Sequence, residues 1–182
     1  MKKFILLIIA VIYCTLPVFS QENYEIKDGY IVVENVMPYQ VSIKEAKSAV
    51  KSYLVDALVD SNTTIKTDEE DIITAKFLTP TLSLYSMGLW RTKATVIAEV
   101  KFREGRMKTT LKCDGRIDNQ SDKNRIDYSV FEAAPLVKHN IWKVNITEKA
   151  AIETFSNLIN LMNSTLQGIE ASIDNYTEED DW

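Results

Sequence analysis

Two stretches of the chain repeat apolar residues at steps of three and four, which is the spacing of one face of a helix. Ser42 and Glu45 have the spacing of a capping box, in which each side chain bonds the backbone amide of the other residue. The first helix is therefore predicted to begin there and to end near residues 60–62. Its predicted buried stripe comprises Ile43, Ala46, Val50, Tyr53, Leu54, Ala57 and Leu58.

The second stretch lies near the end of the chain and predicts a longer helix. Asn145 and Glu148 indicate its capped start. The helix is about 40 Å long at 1.5 Å per residue, so it can cross a whole face of a sheet. Its predicted buried stripe comprises Ile152, Phe155, Leu158, Ile159, Met162, Leu166, Ile169 and Ile173.

Between these helices the apolar residues alternate with polar ones, which is typical of strands. The clearest strands cover residues 92–102 and 107–114. A two-residue turn at Glu104-Gly105 sets Phe102 opposite Met107 and brings the two apolar faces together. A three-residue loop would instead set Phe102 opposite Arg106, so the pattern predicts a hairpin with the shorter turn.

Further strands are predicted at residues 29–36 (GYIVVENV), 63–67, 72–78 and 125–131. Without the shorter candidate at residues 63–67, the resulting order is β-α-β-β-β-β-α. An antiparallel sheet of about five strands, with both helices packed on one face and the other face partly solvated, satisfies this order. The sequence therefore predicts a single α+β domain.

The first twenty residues have the pattern of a cleavable secretory signal peptide. Lys2 and Lys3 precede an apolar run over residues 4–13, Pro17 interrupts it, and Ser20 supplies the small residue at the cleavage site. An uncleaved membrane anchor is the alternative. We expect an exported, periplasmic or secreted protein with no membrane span after cleavage.

Cys14 leaves open a second alternative, a lipoprotein cut just before that cysteine. Tyr13 opposes it, because lipoprotein processing needs a small residue at that position. After cleavage at residue 20, the chain is predicted to comprise a leader over residues 21–28, one domain over 29–175 and an acidic tail over 176–182.

The net charge of the chain limits the classes of partner that it can bind. The whole chain has a net charge of −5, and loss of the two signal-peptide lysines makes the mature chain −7. Nucleic-acid binding needs a positive surface, so this balance opposes it. Cys113 is the one cysteine left after cleavage, which excludes an intrachain disulfide.

The element order, the signal peptide, GYIVVENV, the capped helix and TVIAEVKFREGRMKTTLKCDGRI together resemble an uncharacterised exported domain family of Bacteroides-type bacteria. The resemblance covers about residues 29–173 and implies a TATA-binding-protein-like fold. That family has no catalytic residues to carry over, so the resemblance implies no activity.

The sequence offers little catalytic chemistry. His139 is the sole histidine and stands in a polar stretch, and no Gly-x-Ser-x-Gly motif is present. One histidine and Cys113 cannot supply a zinc site, and Cys113 is expected on a buried strand face. The acidic runs at residues 68–71 and 114–124 lack calcium-loop spacing. We expect no metal and no cofactor.

One segment has the composition of a contact surface. Residues 78–90 (LTPTLSLYSMGLW) are apolar and aromatic, alternate poorly, and are predicted to link two strands. Tyr85, Leu89 and Trp90 are its candidate binding residues, because exposed aromatic side chains favour recognition. The alternative is that the segment closes the core, as large apolar residues usually do.

Two functions of different kinds follow. The first is a non-catalytic binding or assembly module of the bacterial envelope, which holds a protein, peptide or glycan through its exposed sheet face or residues 78–90. The second is a hydrolase that uses carboxylates alone, which needs two acids facing each other across a cleft. Glu99 is the one acid placed within a well-predicted strand, where it is expected to face solvent opposite Thr110. A purely structural or inhibitory domain also fits the sequence.

Overall fold

A computed structural model describes residues 24–56, 64–85, 90–120, 125–129 and 148–179. Within them the chain forms eight strands and two long helices, which confirms the α+β class. The elements are β1 (Glu25–Lys27), β2 (Tyr30–Pro38), α1 (Ile43–Asp56), β3 (Thr64–Glu69), β4 (Ile72–Leu78), β5 (Ser83–Tyr85), β6 (Trp90–Arg103), β7 (Arg106–Gln120), β8 (Arg125–Ser129) and α2 (Glu148–Glu179).

All strands belong to one antiparallel sheet in the order β1-β2-β7-β6-β4-β3. The sheet is built around the long β6–β7 hairpin. One end of this hairpin is flanked by β2 and β4, and the other end is flanked by β5 and β8. The predicted register is confirmed, since Phe102 is opposite Met107 and Ala98 is opposite Leu111. Gly105 supplies the positive φ of 72° that the tight turn needs.

The structure has three strands more than the predicted order of five. One is β3, which covers the shorter candidate at residues 63–67, and the other two, β1 and β5, are only three residues long. β1 joins β2 through Asp28-Gly29, and both turn residues have positive φ, as a type I′ hairpin turn requires. β5 lies within residues 78–90, a segment predicted to be a connection. Three residues are too few to show an alternation, so only pairing with a neighbour identifies these strands.

The capping box of α1 is confirmed. The Glu45 amide donates to Ser42 Oγ at 3.3 Å, and the Ser42 amide donates to Glu45 Oε2 at 2.8 Å. Both helices pack on the same face of the sheet. They form one core with it, whose largest fully buried side chains are Phe77, Phe102, Ile31, Leu54, Ile73, Met107, Leu111, Leu158, Ile159, Met162, Ile169 and Ile173.

One predicted core residue of α2 is misplaced. Ile152 is 38% exposed, whereas Ala150, Ala151 and Thr154 are buried. The reason is that this end of α2 faces the short β5 and a buried hydroxyl, Ser83, which accommodate small and polar side chains. The other predicted stripe positions of α2 are buried, and Cys113 is buried as expected. Over the described residues, neither helix is long and apolar enough to cross a membrane.

Candidate functional site

The sheet has one covered and one uncovered face. Residues such as Val33, Val96 and Leu111 point to the side where both helices pack. Their neighbours along each strand point to the other side. No helix among the described residues covers that second side, which we call the open face.

Strand pairing places the side chains of the open face in three levels across β2, β7 and β6. The first level contains Val36, Lys108 and Lys101, because Lys108 pairs with both of the others. The second contains Glu34, Thr110 and Glu99, and the third contains Val32, Lys112 and Ile97.

All of these residues except Val36 line a groove with a volume of about 510 Å³. Its centre is partly apolar, since Val32 and Thr110 are buried and Ile97 is half-buried. Charged side chains surround that centre. The complete lining comprises Lys27, Asp28, Tyr30, Val32, Glu34, Ile97, Glu99, Lys101, Lys108, Thr110 and Lys112.

Two ion pairs form within this lining. Lys108 Nζ lies 2.9 Å from Glu34 Oε2, and Lys101 Nζ lies 3.0 Å from Glu99 Oε1. The hydrogen bond from Lys108 holds the pKa of Glu34 below its ordinary value, and the charges of Lys108, Lys27 and Lys112 add to the effect. The Glu34 carboxylate is thus stabilised in its ionised form.

The other two lysines have no ion-pair partner among the described residues. Lys27 and Lys112 therefore leave ammonium charge available in the groove. The lining contains four lysines against three acids, so it is positive by one unit on a chain whose net charge is −5. The groove can accept an anionic group although the protein is acidic.

The aromatic candidates belong to another part of the sheet. Tyr85 ends β5 and Trp90 begins β6, and their Cα atoms are paired across the two strands. The side chains of both, and the whole of Leu89, lie outside the described residues. Their role in binding stays a prediction.

The described part of residues 78–90 divides between core and surface. Leu82 is buried in the core, and its carbonyl accepts a hydrogen bond from Asn157 Nδ2. Ser83 Oγ lies 2.7 Å from Thr154 Oγ1 of α2 and 3.0 Å from Thr92 Oγ1 of β6. Leu84, in contrast, is 55% exposed. The segment both closes the core and presents one apolar side chain to solvent.

The structure also accounts for the first acidic run. Asp68 lies 2.8 Å from Lys47 Nζ and 2.6 Å from Lys51 Nζ of α1, and these hydrogen bonds lower its pKa to about 2. Asp68 therefore connects β3 to α1. Among the described residues no three metal-ligating side chains cluster. His139 lies outside the described residues, as do the side chains at 114–124.

A wider cavity of about 1240 Å³ lies at the end of the sheet, between the start of α1 and the turns after β3 and β6. Several of its polar side chains maintain the fold. The Tyr39 hydroxyl donates to the Arg103 carbonyl at 2.7 Å, and Lys47 bonds Asp68. The lining of this cavity has two lysines against three acids, whereas the open-face groove is positive by one unit and is the better candidate for an anionic ligand.

Sequence reasoning found part of this groove. The predicted hairpin register already placed Glu99 opposite Thr110, and the structure confirms that pairing. Glu34 and Lys112 were missed as groove residues, although both occupy polar-face positions of predicted strands. The sequence does not reveal that β2 pairs with residues 106–113 of β7, whereas β8 pairs with residues 116–120.

The similarity of this chain to known proteins is a similarity of fold and not of sequence. The sequence matches no protein-family profile and no curated protein sequence. A crystal structure of a DUF4468 family protein from Bacteroides ovatus is similar, with a TM-score of 0.63, 13% identity, and coverage of 85% of this chain and 91% of that one. A TBP-like protein from Parabacteroides distasonis gives a TM-score of 0.59, 13% identity, and coverage of 80% and 96%.

Both neighbours support the resemblance inferred from the sequence. One is TBP-like by name, and the other belongs to a family named as a domain of unknown function. The TATA-binding-protein-like fold is therefore established for this chain. At this level of identity the likeness gives no function.

Proposed function

We propose that this protein is a non-catalytic binding module of the bacterial cell envelope and that its ligand occupies the open-face groove. The observation that supports the proposal is the groove itself, which joins a partly apolar centre to the ammonium groups of Lys27 and Lys112. A solvated face is ordinary in an antiparallel sheet, so exposure alone would carry little weight. A concave site with convergent polar groups is the usual form of a ligand site.

Export is part of the proposal and rests on the sequence of residues 1–20. Its test is the molecular mass of the mature protein recovered from the envelope fraction. We expect a mass that corresponds to cleavage after Ser20. A mass that corresponds to a lipid-modified Cys14 would place the protein on a membrane surface instead.

The hydrolase alternative would use Glu34 and Glu99, and the lowered pKa of Glu34 opposes it. Glu34 and Glu99 flank Thr110 on two sides, so their Cα atoms are about 10 Å apart, two strand spacings. A general acid needs a raised pKa. Glu34 has a lowered pKa because of Lys108, and Glu99 is held by Lys101. The groove therefore favours binding over glycoside cleavage.

Site-specific photo-cross-linking tests the binding surface. A benzoylphenylalanine replaces one exposed apolar residue at a time in the full-length protein, expressed in the source bacterium and irradiated in intact cells. The three positions are Val36 on the open face, Leu84 on β5 and Ile152 on α2, which are 56%, 55% and 38% exposed. Ile152 is the matched control because it lies on the helix side.

We expect a discrete adduct from Val36 and none from Ile152, because the open face is the proposed contact surface. Adducts from Leu84 alone would move the binding site to residues 78–90. Equal labelling at all three positions, or none at any, would contradict an open-face binding function.

A further inference from the structure

The charges of the groove are ordered along the strands. We infer that it binds an extended peptide segment that carries two acidic side chains four residues apart. This inference rests on the proposed function and specifies the chemistry of its ligand.

The spacing comes from β7. Lys108, Thr110 and Lys112 follow one another on the open face. At about 3.4 Å per residue, the two lysines are separated by about 14 Å, with a neutral residue midway. An extended peptide has the same repeat, so residues i and i+4 on one of its faces are also about 14 Å apart.

The first lysine level attracts a carboxylate. Lys101 and Lys108 stand directly opposite each other on adjacent strands, where like charges are destabilising. Their side chains are 57% and 45% exposed, and each turns to a glutamate of the second level. Each ammonium group has three N–H donors and one glutamate partner, so a ligand carboxylate placed between the two lysines can accept hydrogen bonds from both.

The second lysine level also attracts a carboxylate, for a different reason. Lys112 is half-buried between Val32 and Ile97, and no ion pair neutralises it within the described residues. A charge in partly apolar surroundings is poorly solvated, so an opposite charge gains more there than at an open surface.

The middle level distinguishes a peptide from a uniform polyanion. Glu34 and Glu99 flank Thr110 at this level. They repel a ligand that has negative charge at every unit, such as a polyuronate or a nucleic acid. A peptide can place a neutral hydrogen-bonding residue there, with acidic residues two positions before and two positions after it.

Labelled peptides test the spacing directly. The probes are fluorescein-labelled octapeptides of serine and threonine that carry glutamate at positions 2 and 6, or at positions 2 and 5. The second probe has the same composition, but an extended chain points its two glutamates to opposite faces. Fluorescence anisotropy is measured with the full chain, and polygalacturonate serves as a competitor.

We expect the four-spaced probe to bind about tenfold more tightly than the three-spaced probe, as loss of one charge-assisted hydrogen bond predicts. Lys112→Gln should reduce this difference to about twofold or less, since it removes one of the two carboxylate contacts. Lys149→Gln on α2 is the matched control and should leave it unchanged, because Lys149 is exposed on the helix side. Raising NaCl from about 0.05 M to about 0.5 M should weaken binding several-fold.

Equal affinity for both probes, or insensitivity to Lys112→Gln in a variant with an unchanged circular dichroism spectrum, would overturn the inference. Tighter binding of polygalacturonate than of the four-spaced probe would also overturn it and indicate a glycan. None of these results contradicts the proposed binding function as long as the Val36 position still gives its cross-link. Loss of that cross-link contradicts the binding surface itself.

Discussion

Thr109 shows how one atom can act against the stability of a core. It lies on the covered face of β7, between Asn35 of β2 and Val100 of β6, and it is 1% exposed. Its hydroxyl has no hydrogen-bond partner among the described atoms. The hydroxyl of Thr154 is equally buried but donates to the Ala150 carbonyl at 2.6 Å. The two threonines thus differ in whether a hydrogen bond compensates the burial of the hydroxyl.

Replacing each threonine with valine should therefore have opposite effects. Thr109→Val keeps the shape and removes an unsatisfied group, so we expect the free energy of unfolding to rise by about 1 kcal/mol. Thr154→Val removes the hydrogen bonds that this hydroxyl makes to Ser83, Thr92 and the Ala150 carbonyl, so we expect a loss of about 1–3 kcal/mol. Urea unfolding measures both. A destabilised Thr109→Val variant would show that this hydroxyl is satisfied in solution.

The packing of α1 on α2 depends on the absence of one side chain. Gly168 lies in the middle of α2, and a Cβ atom placed there would be 2.1 Å from the Tyr53 hydroxyl oxygen and 2.4 Å from the ring carbon that bears it. The Tyr53 ring thus occupies the space that any other residue would fill. Burial accordingly raises the pKa of Tyr53.

A double-mutant cycle tests this contact. Gly168→Ala alone should lower the free energy of unfolding by about 1–3 kcal/mol, because the Tyr53 ring must move. In a Tyr53→Ala background the same change should raise it by about 0.5–1 kcal/mol, because alanine favours helix over glycine. Thermal or urea unfolding gives the four values. Additive effects would mean that Tyr53 does not pack on Gly168.

The elements that were predicted correctly are specified by residues that lie close together in the chain. The α1 cap needs only Ser42 and Glu45, and the β6–β7 register follows from two alternating faces and a two-residue turn. Ile152 was misassigned because its environment depends on β5, which is distant in sequence. Helical spacing alone indicates which residues share a face of the helix, but it does not indicate which element packs against that face.

At the scale of the whole molecule, β7 is the centre of the cooperative unit. It pairs with β6, β2 and β8, and its covered face contributes to the core. Cys113 lies on that face, is fully buried and sits opposite both Ile31 and Val96. A reagent can therefore reach its thiol only when the sheet opens.

Thiol labelling should report global unfolding. In a Cys14→Ser background, we expect Cys113 to resist an aromatic disulfide reagent in the native state and to react at a rate that follows urea-dependent unfolding. Leu166→Ala should accelerate labelling, because it destabilises the shared core by about 2–5 kcal/mol. Labelling that is fast in the native state would show that this end of β7 opens locally.

The sequence by itself determined the two amphipathic helices, the central hairpin with its register, and the α+β class, because each depends on residues close in the chain. The net charge also follows from the sequence alone, and residues 1–20 have the pattern of an export signal. Only the tertiary structure decided that β2 lies beside the first half of β7, which brings Lys27, Glu34 and Lys112 to one groove. Strand order depends on long-range pairing, and the open face gains its charge pattern from strands separated by some seventy positions.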